Sequence, residues 1–314
     1  VTEPEPAATE PSARRNRRGE PLAPGDLVQL TDPKHRHHTF PLRPGAAFFS
    51  HKGSLAHDDI IGRPEGIVLT STGGTPYLVL RPMLADFVLS MKRGATIVYP
   101  KDAAAVVSLA DLFPGARVAE AGVGSGALAC TLLQAVGEHG YLSSYELRPD
   151  FADIARTNVE RWLGGPHPAW RLTVGDVAEH LADEERLDAV VLDLLAPWDV
   201  ADAARRALVP GGVLVAYVAT TTQLSLLVET LRAADGWTEP KASEQLVRTW
   251  HVEGLAVRPD HRMVAHTGFL VAARRLADGQ STLLLRRRPA KGAYGEDYRG
   301  PRGRHAAPPP GDEG

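Results

Sequence analysis

From Ala116 onward, five runs rich in apolar and β-branched residues, RVAEAG, YLSSYE, WRLTVGD, LDAVVLD and GVLVAYV, are each followed by a segment with helical spacing. Near-continuous apolar strands that alternate with helices imply a parallel sheet covered on both faces, because the crossover helices bury both sides of the pleat. Two further strand candidates, Glu244 to Val257 and Thr267 to Arg274, follow one another with no helix between them. The sheet is therefore expected to end in an antiparallel hairpin.

Before residue 100 the pattern differs. Short strand candidates at Asp26 to Leu30, Gly45 to Phe49 and Gly66 to Ser71 are separated by Pro, Gly and Asp, which suggests a small β-rich domain. Leu78 to Ser90 and Ala103 to Leu112 carry apolar residues at helical spacing. The expected organisation is a tail over residues 1–24, a small β-rich N-terminal domain with a linking helix over 25–100, an α/β domain over 101–277, and a basic, Gly/Pro-rich tail over 278–314. Residues 1–24, with almost no large apolar residue, and 286–314, rich in Gly, Pro and Arg, read as disordered by composition.

Composition narrows the class. Hydrophobic residues are 43% and charged residues 23%, enough apolar side chain for a sizeable core. The single cysteine, Cys130, excludes an intrachain disulfide and an all-cysteine metal site. No apolar run approaches the roughly 18 to 20 residues that span a bilayer, and the N-terminal segment lacks the apolar region of a signal peptide. A cytoplasmic protein without a membrane partner is expected. The net charge is −3, yet from Arg286 to the end seven Lys/Arg stand against four Asp/Glu. Any polyanionic partner must be met by local patches.

Glu120-Ala121-Gly122-Val123-Gly124-Ser125-Gly126 lies between a strand and a helix, where a glycine-rich turn lets a ligand approach the backbone at a helix N-terminus. Gly122, Gly124 and Ala127 also satisfy the dinucleotide pattern G-x-G-x-x-G/A, and Glu146 lies about 20 residues on, where an acid binds ribose hydroxyls. Three observations favour S-adenosylmethionine over a nicotinamide dinucleotide. The turn reads G-x-G-x-G; Gly175-Asp176 places an acid after the third strand; and Asp193-Leu194-Leu195-Ala196-Pro197-Trp198 sets an acid, a turn proline and an aromatic at the carboxyl edge of the fourth. A terminal antiparallel hairpin also suits a methyltransferase sheet.

These residues reach a family. The chain resembles the bacterial tRNA adenine-N1 methyltransferases that modify adenosine 58 of the T loop, from about residue 25 to residue 276. The likeness rests on GSLAHDDIIG (53–62), TSTGGTPYLVLRP (70–82), VYPKDAA (98–104), EAGVGSGAL (120–128), YE (145–146), VLDLLAPW (191–198), VRPDH (257–261) and AHTGFLVA (265–272). The resemblance implies a homotetramer acting on tRNA, its subunit a class I methyltransferase Rossmann-like domain behind a small β domain. It implies cofactor contacts from Val123 to Gly126, Glu146, Asp176 and Val177, with Glu120, Gly122 and Thr96 alongside, and assigns the catalytic aspartate to Asp193. Thr96 stands where many relatives carry Gln, and Ala265 where they carry Gly.

The chemistry fits these residue types. Adenine N1 has a free lone pair at neutral pH, so methyl transfer needs alignment rather than a strong base. Positive charge develops on the ring and its exocyclic amine, and a carboxylate accepting from that amine gains strength in the transition state, which is the role assigned to Asp193. A T-loop adenosine must be flipped out of its tertiary pairing to react. Trp198, Tyr217 and Trp250 fall near strand ends and are candidates to stack on it; core packing is the other reading of each. Thr220 and Gln223 follow the fifth strand, and His266 precedes the last; these are candidate substrate contacts. Histidines 35, 37, 38, 51 and 57 lack metal-ligand spacing, so no metal is expected, and a phosphate-facing surface is the alternative to a solvated face. His57-Asp58-Asp59 reads as structural. Two rival functions are a methyltransferase of a protein carboxylate or small molecule, and a non-catalytic tRNA-binding subunit.

Overall fold

In the computed structural model, residues 18–283, 292–295, 298 and 300–302 are described. The chain divides into two compact units, Val1–Lys92 with Arg156–His167, and Arg93–Ala155 with Pro168–Gly314.

The first unit is built on an antiparallel sheet of β1 (Leu27–Thr31), β2 (His37–Pro41), β5 (Ile67–Thr70) and β6 (Pro76–Leu80), in the order β2-β1-β6-β5. A separate hairpin joins β3 (Ala47–Ser50) to β4 (Gly53–Ala56). Val28, Leu30, Leu42, Leu55, Ile60, Tyr77 and Val79 are buried together, and Leu22 joins them, N-terminal to the residue-25 start that composition suggests. Backbone bonds to Arg63 and from Gly62 fasten Leu22. The helix expected over Leu78 to Ser90 is split. Tyr77 and Val79 are buried in strand alternation, and Pro82 disfavours helix in the residue before it, so α1 spans only Leu84–Ser90.

The second unit holds a seven-stranded sheet in the order β12-β15-β11-β10-β7-β8-β9. Its parallel part is β7 (Arg117–Ala121), β8 (Tyr141–Glu146), β9 (Trp170–Val174), β10 (Leu187–Leu192) and β11 (Leu208–Val218). The five apolar runs of the sequence fall on these strands. In β10 every residue but Asp188 is buried, as helices on both faces require. Helices α2 (Pro100–Leu109), α3 (Ala127–Val136), α4 (Pro149–Leu163), α6 (Ala201–Ala207) and α7 (Thr221–Ala233) accompany the strands, with the four-residue α5 (Val177–His180) after β9. The sheet ends antiparallel, as expected: β15 (Phe269–Arg274) pairs with β11, and β12 (Lys241–Ser243) pairs with β15.

One strand assignment is corrected. Glu244 to Val257 does not enter the sheet, whose edge is Lys241–Ser243. Instead β13 (Trp250–Glu253) and β14 (Ala256–Pro259) close on each other as an isolated ribbon around Gly254-Leu255, with Gly254 at φ +55°. The tight turn satisfies the ladder locally. Among the described residues no helix is long and apolar enough to cross a membrane, and no group of three or more His, Cys, Asp or Glu is placed to hold a metal ion. Basic residues 286–288, 291, 299 and 304 of the C-terminal tail lie outside the described residues, as do residues 1–17.

Candidate active site

Strand order reverses between β7 and β10, and the crevice at the carboxyl ends of such strands is where open α/β sheets bind ligands. The glycine loop lies there. Gly122, Gly124 and Gly126 have φ of +83°, +55° and +80°, a backbone region that side chains disfavour. A Cβ on Gly122 would overlap the Asp193 carbonyl. Loop and fourth-strand end therefore touch through backbone alone.

Neighbouring groups hold this loop. Gly124 N donates to Glu146 Oε2 at 2.9 Å, and Arg148 N donates to Glu146 Oε1 at 3.1 Å. Each carboxylate oxygen keeps a further lone pair for a ligand hydroxyl. Ser125 is buried, and its Oγ accepts from Gly94 N at 3.0 Å and Ala95 N at 3.4 Å. That staple fixes the segment carrying Thr96, itself exposed. Val123 is buried beneath the loop.

Parallel register brings three acids together. Glu120 pairs with Ser144 on one side and Val191 on the other, so Glu146 and Asp193, two residues beyond each partner, share its face of the sheet. Glu120 Oε2 accepts from Ser144 Oγ at 2.7 Å, and Ser144 Oγ accepts from Trp170 Nε1 at 3.0 Å. Glu120 Oε1 is buried with no hydrogen-bond partner among the described residues. Burial pushes the Glu120 carboxyl up to about 8 against the Ser144 hydrogen bond, with the charges of Asp193 and Glu146 adding to the rise. Burial likewise pushes Asp193 up to about 7, with Glu146 contributing. Because burial and mutual repulsion raise the pKa of both acids, a cationic, hydrogen-bonding ligand at this edge would offset that cost.

Asp176 is exposed and caps α5, its carboxylate accepting from Ala178 N at 2.8 Å, while Val177 is buried. Gly175 leaves room for the His180 ring, which stacks on Tyr145 at 5.7 Å.

The expected substrate contacts separate into groups. Trp198 is half-buried against the apolar core that includes Leu192 and Val200. Thr220 and Gln223 form a reciprocal cap on α7: Gln223 N donates to Thr220 Oγ1 at 3.2 Å and Thr220 N to Gln223 Oε1 at 3.1 Å. Gln223 Nε2 also donates to Leu195 O at 2.9 Å, tying the cap to the loop after Asp193. Tyr217 follows Ala216, the register partner of Leu192, and so stands beside Asp193. Its hydroxyl donates to Thr267 O at 2.6 Å and is pushed up to about 12 by burial, with Asp102, Asp193 and Tyr99 adding charge effects. His266 is exposed, with Nδ1 3.0 Å from Glu244 Oε2 and its ring 4.6 Å from Phe269. Trp250 is not at the sheet edge; it is exposed on the isolated ribbon.

Sequence reasoning missed Tyr99, which immediately precedes α2, next to Lys101 and Asp102. Its signal was an aromatic beside a helix-starting proline. In the first unit, His57 is spent on structure: its Nδ1 accepts from Arg43 N at 3.0 Å and its ring stacks on Phe40 at 4.7 Å. Arg36 and Lys52 both pair with buried Asp32.

Residues 21–69 match the TrmI-like N-terminal family, and residues 77–257 match the family described as the tRNA methyltransferase complex GCD14 subunit. The chain is 40% identical over 256 residues to the tRNA (adenine(58)-N(1))-methyltransferase TrmI of Thermus thermophilus, covering 80% of this chain and 97% of that one. The structure of a SAM-dependent O-methyltransferase from Thermotoga maritima is similar, with TM-score 0.78, 30% identity, and coverage of 84% of this chain and 97% of that one. The structure of tRNA (m1A58) methyltransferase TrmI from Aquifex aeolicus matches with TM-score 0.71 and 25% identity, covering 82% and 99%. The family match over residues 77–257 and the 40% identity to the Thermus thermophilus enzyme together show that the chain belongs to the GCD14/TrmI family of tRNA methyltransferases.

Proposed function

We propose that this chain is an S-adenosylmethionine-dependent methyltransferase of adenine N1 at position 58 of tRNA, with Asp193 holding the amino group of the flipped base. The observation that carries the reading is the backbone contact of Gly122 with Asp193, which sets the catalytic acid directly against the cofactor loop. S-adenosylmethionine supplies an electrophilic methyl group when bound. The 123–126 turn, tied to Glu146 through Gly124 N, lets the cofactor approach the backbone; Glu146 offers acceptors for ribose hydroxyls, Asp176 has an exposed carboxylate for an adenine amine, and Glu120 shares the face of the sheet with Glu146.

Asp193 needs no basicity for this reaction, because N1 is already a nucleophile. Its ionised carboxylate accepts from the exocyclic amine, and that bond strengthens as positive charge reaches the ring. Tyr217 and Trp198 offer aromatic faces near Asp193 against which the extruded base is held in line. Thr220 and Gln223 shape the Asp193 loop through the Leu195 carbonyl, and His266 lies on the rim.

The partners in this reading are tRNA and further copies of the chain, in the cytoplasm. A homotetramer is supported by the ribbon β13–β14, where Trp250, Val252, Leu255 and Val257 are all exposed, an apolar surface of the kind that marks association. Residues 25–100 serve as the accessory β domain and 101–277 as the catalytic one.

The test is transfer of labelled methyl to an unmodified tRNA transcript, compared with one carrying guanosine at position 58. Label on the first alone supports the reading. Equal label on both discards the assigned base, and transfer to a small-molecule or protein acceptor without RNA favours the O-methyltransferase-like alternative.

A further inference from the structure

Lys101 and Asp102 open helix α2 and form an ion pair almost withdrawn from water, with side-chain exposures of 10% and 0% and a separation of 2.9 Å. Thr267 closes the pair into a ring. Its Oγ1 donates to Asp102 Oδ2 at 2.6 Å and accepts from Lys101 Nζ at 2.5 Å. Lys101 Nζ also donates to Gln245 O at 2.8 Å, so all three of its protons are used. A buried ion pair contributes little net stability over apolar side chains of the same shape, but it fixes direction, because any displacement leaves a charge unpaired.

What it fixes is the backbone beside the catalytic acid. Thr267 O accepts from the Tyr217 hydroxyl, and the next residue, Gly268, has no room for a side chain because the Tyr217 ring lies over it. Tyr217 and Asp193 each stand one residue past the Leu192–Ala216 pair that ends the β10–β11 ladder. We infer that Lys101, Asp102 and Thr267 are positioning residues for methyl transfer: through the Thr267 carbonyl and the Gly268 gap they hold the Tyr217 ring in place at the sheet edge beside Asp193. Two segments distant in sequence, VYPKD and AHTGF, thereby form one device. The inference rests on the reaction proposed above.

Thr267→Val keeps the side-chain outline and removes the hydroxyl that joins the ring. In steady-state transfer to tRNA it should lower kcat about tenfold, with S-adenosylmethionine Kd, read by calorimetry, unchanged within about twofold. Thr267→Ser should restore turnover. Gly268→Ala displaces the Tyr217 ring while sparing the ion pair, and should reproduce the kcat loss even where Thr267→Val folds poorly. In a Tyr217→Phe background, whose ring has already lost its tether, Thr267→Val should add little. Wild-type turnover in Thr267→Val or Gly268→Ala, equal losses in the Val and Ser variants, or independent effects of Thr267→Val and Tyr217→Phe would each overturn the inference. Absence of transfer by the wild-type protein would overturn the reaction and this role with it.

Discussion

The carbonyl oxygen of Asp193 occupies the space a side chain on Gly122 would need. Gly122→Ala therefore meets two obstacles, a left-handed φ of +83° and a backbone clash with Asp193. The variant should lose cofactor binding by about a hundredfold or more, with a fall in stability of roughly 1 to 3 kcal/mol from strain. Cofactor titration and urea unfolding measure both, and near-normal affinity would contradict the packing described.

The pH dependence of turnover should follow Asp193. Burial pushes its carboxyl up to about 7, and in the proposed role the ionised form is the stronger acceptor and the one that stabilises the charge developing on the adenine amine. The sign is therefore upward: kcat/KM should rise with pH below about 7 and level off above it. Asp193→Asn should lower the rate and remove that rise. An unchanged profile in the Asn variant would assign the titration to another group.

The sheet was legible because apolar runs such as LDAVVL keep no polar face, and only a doubly covered parallel strand tolerates that. The Gly122-to-Gly126 turn and the edge acids were legible because strand ends and loops fall at fixed places in such a sheet. The ribbon β13–β14 was misread: Trp250 to Pro259 has strand composition, and composition does not say which partner a strand pairs with. The Lys101–Asp102–Thr267 ring was invisible, since its members lie 165 residues apart and each reads alone as an ordinary polar residue.

Glu120 should make the protein less stable in alkali. Its folded carboxyl is pushed up to about 8 from an ordinary value of 4.5, so between those values the folded chain binds a proton that the unfolded chain releases. Stability from this group is complete below the lower value and is lost as pH rises through the upper one. Between about pH 5 and pH 8 the loss is on the order of 3 kcal/mol. Glu120→Gln, which stays neutral, should flatten the stability curve in denaturant titrations across this range. A parallel decline in the variant would remove Glu120 as the cause.

The Thr220–Gln223 cap separates a structural from a substrate role. Thr220→Ala removes the acceptor for Gln223 N and should cost about 1 kcal/mol of stability. Gln223→Ala additionally frees the Leu195 carbonyl beside the Asp193 loop, and should raise KM for tRNA more than Thr220→Ala does. Equal KM values in the two variants would confine both residues to helix capping.

The central claim is that Asp193 holds the adenine amine during methyl transfer. It is tested most directly by single-turnover formation of 1-methyladenosine at position 58 of tRNA by Asp193→Ala and wild-type protein at equal, saturating tRNA occupancy. The account expects the wild type to form it and the variant to lose the rate by about a thousandfold, while tRNA binding and thermal unfolding stay close to wild type. Near-normal 1-methyladenosine formation by Asp193→Ala would contradict it.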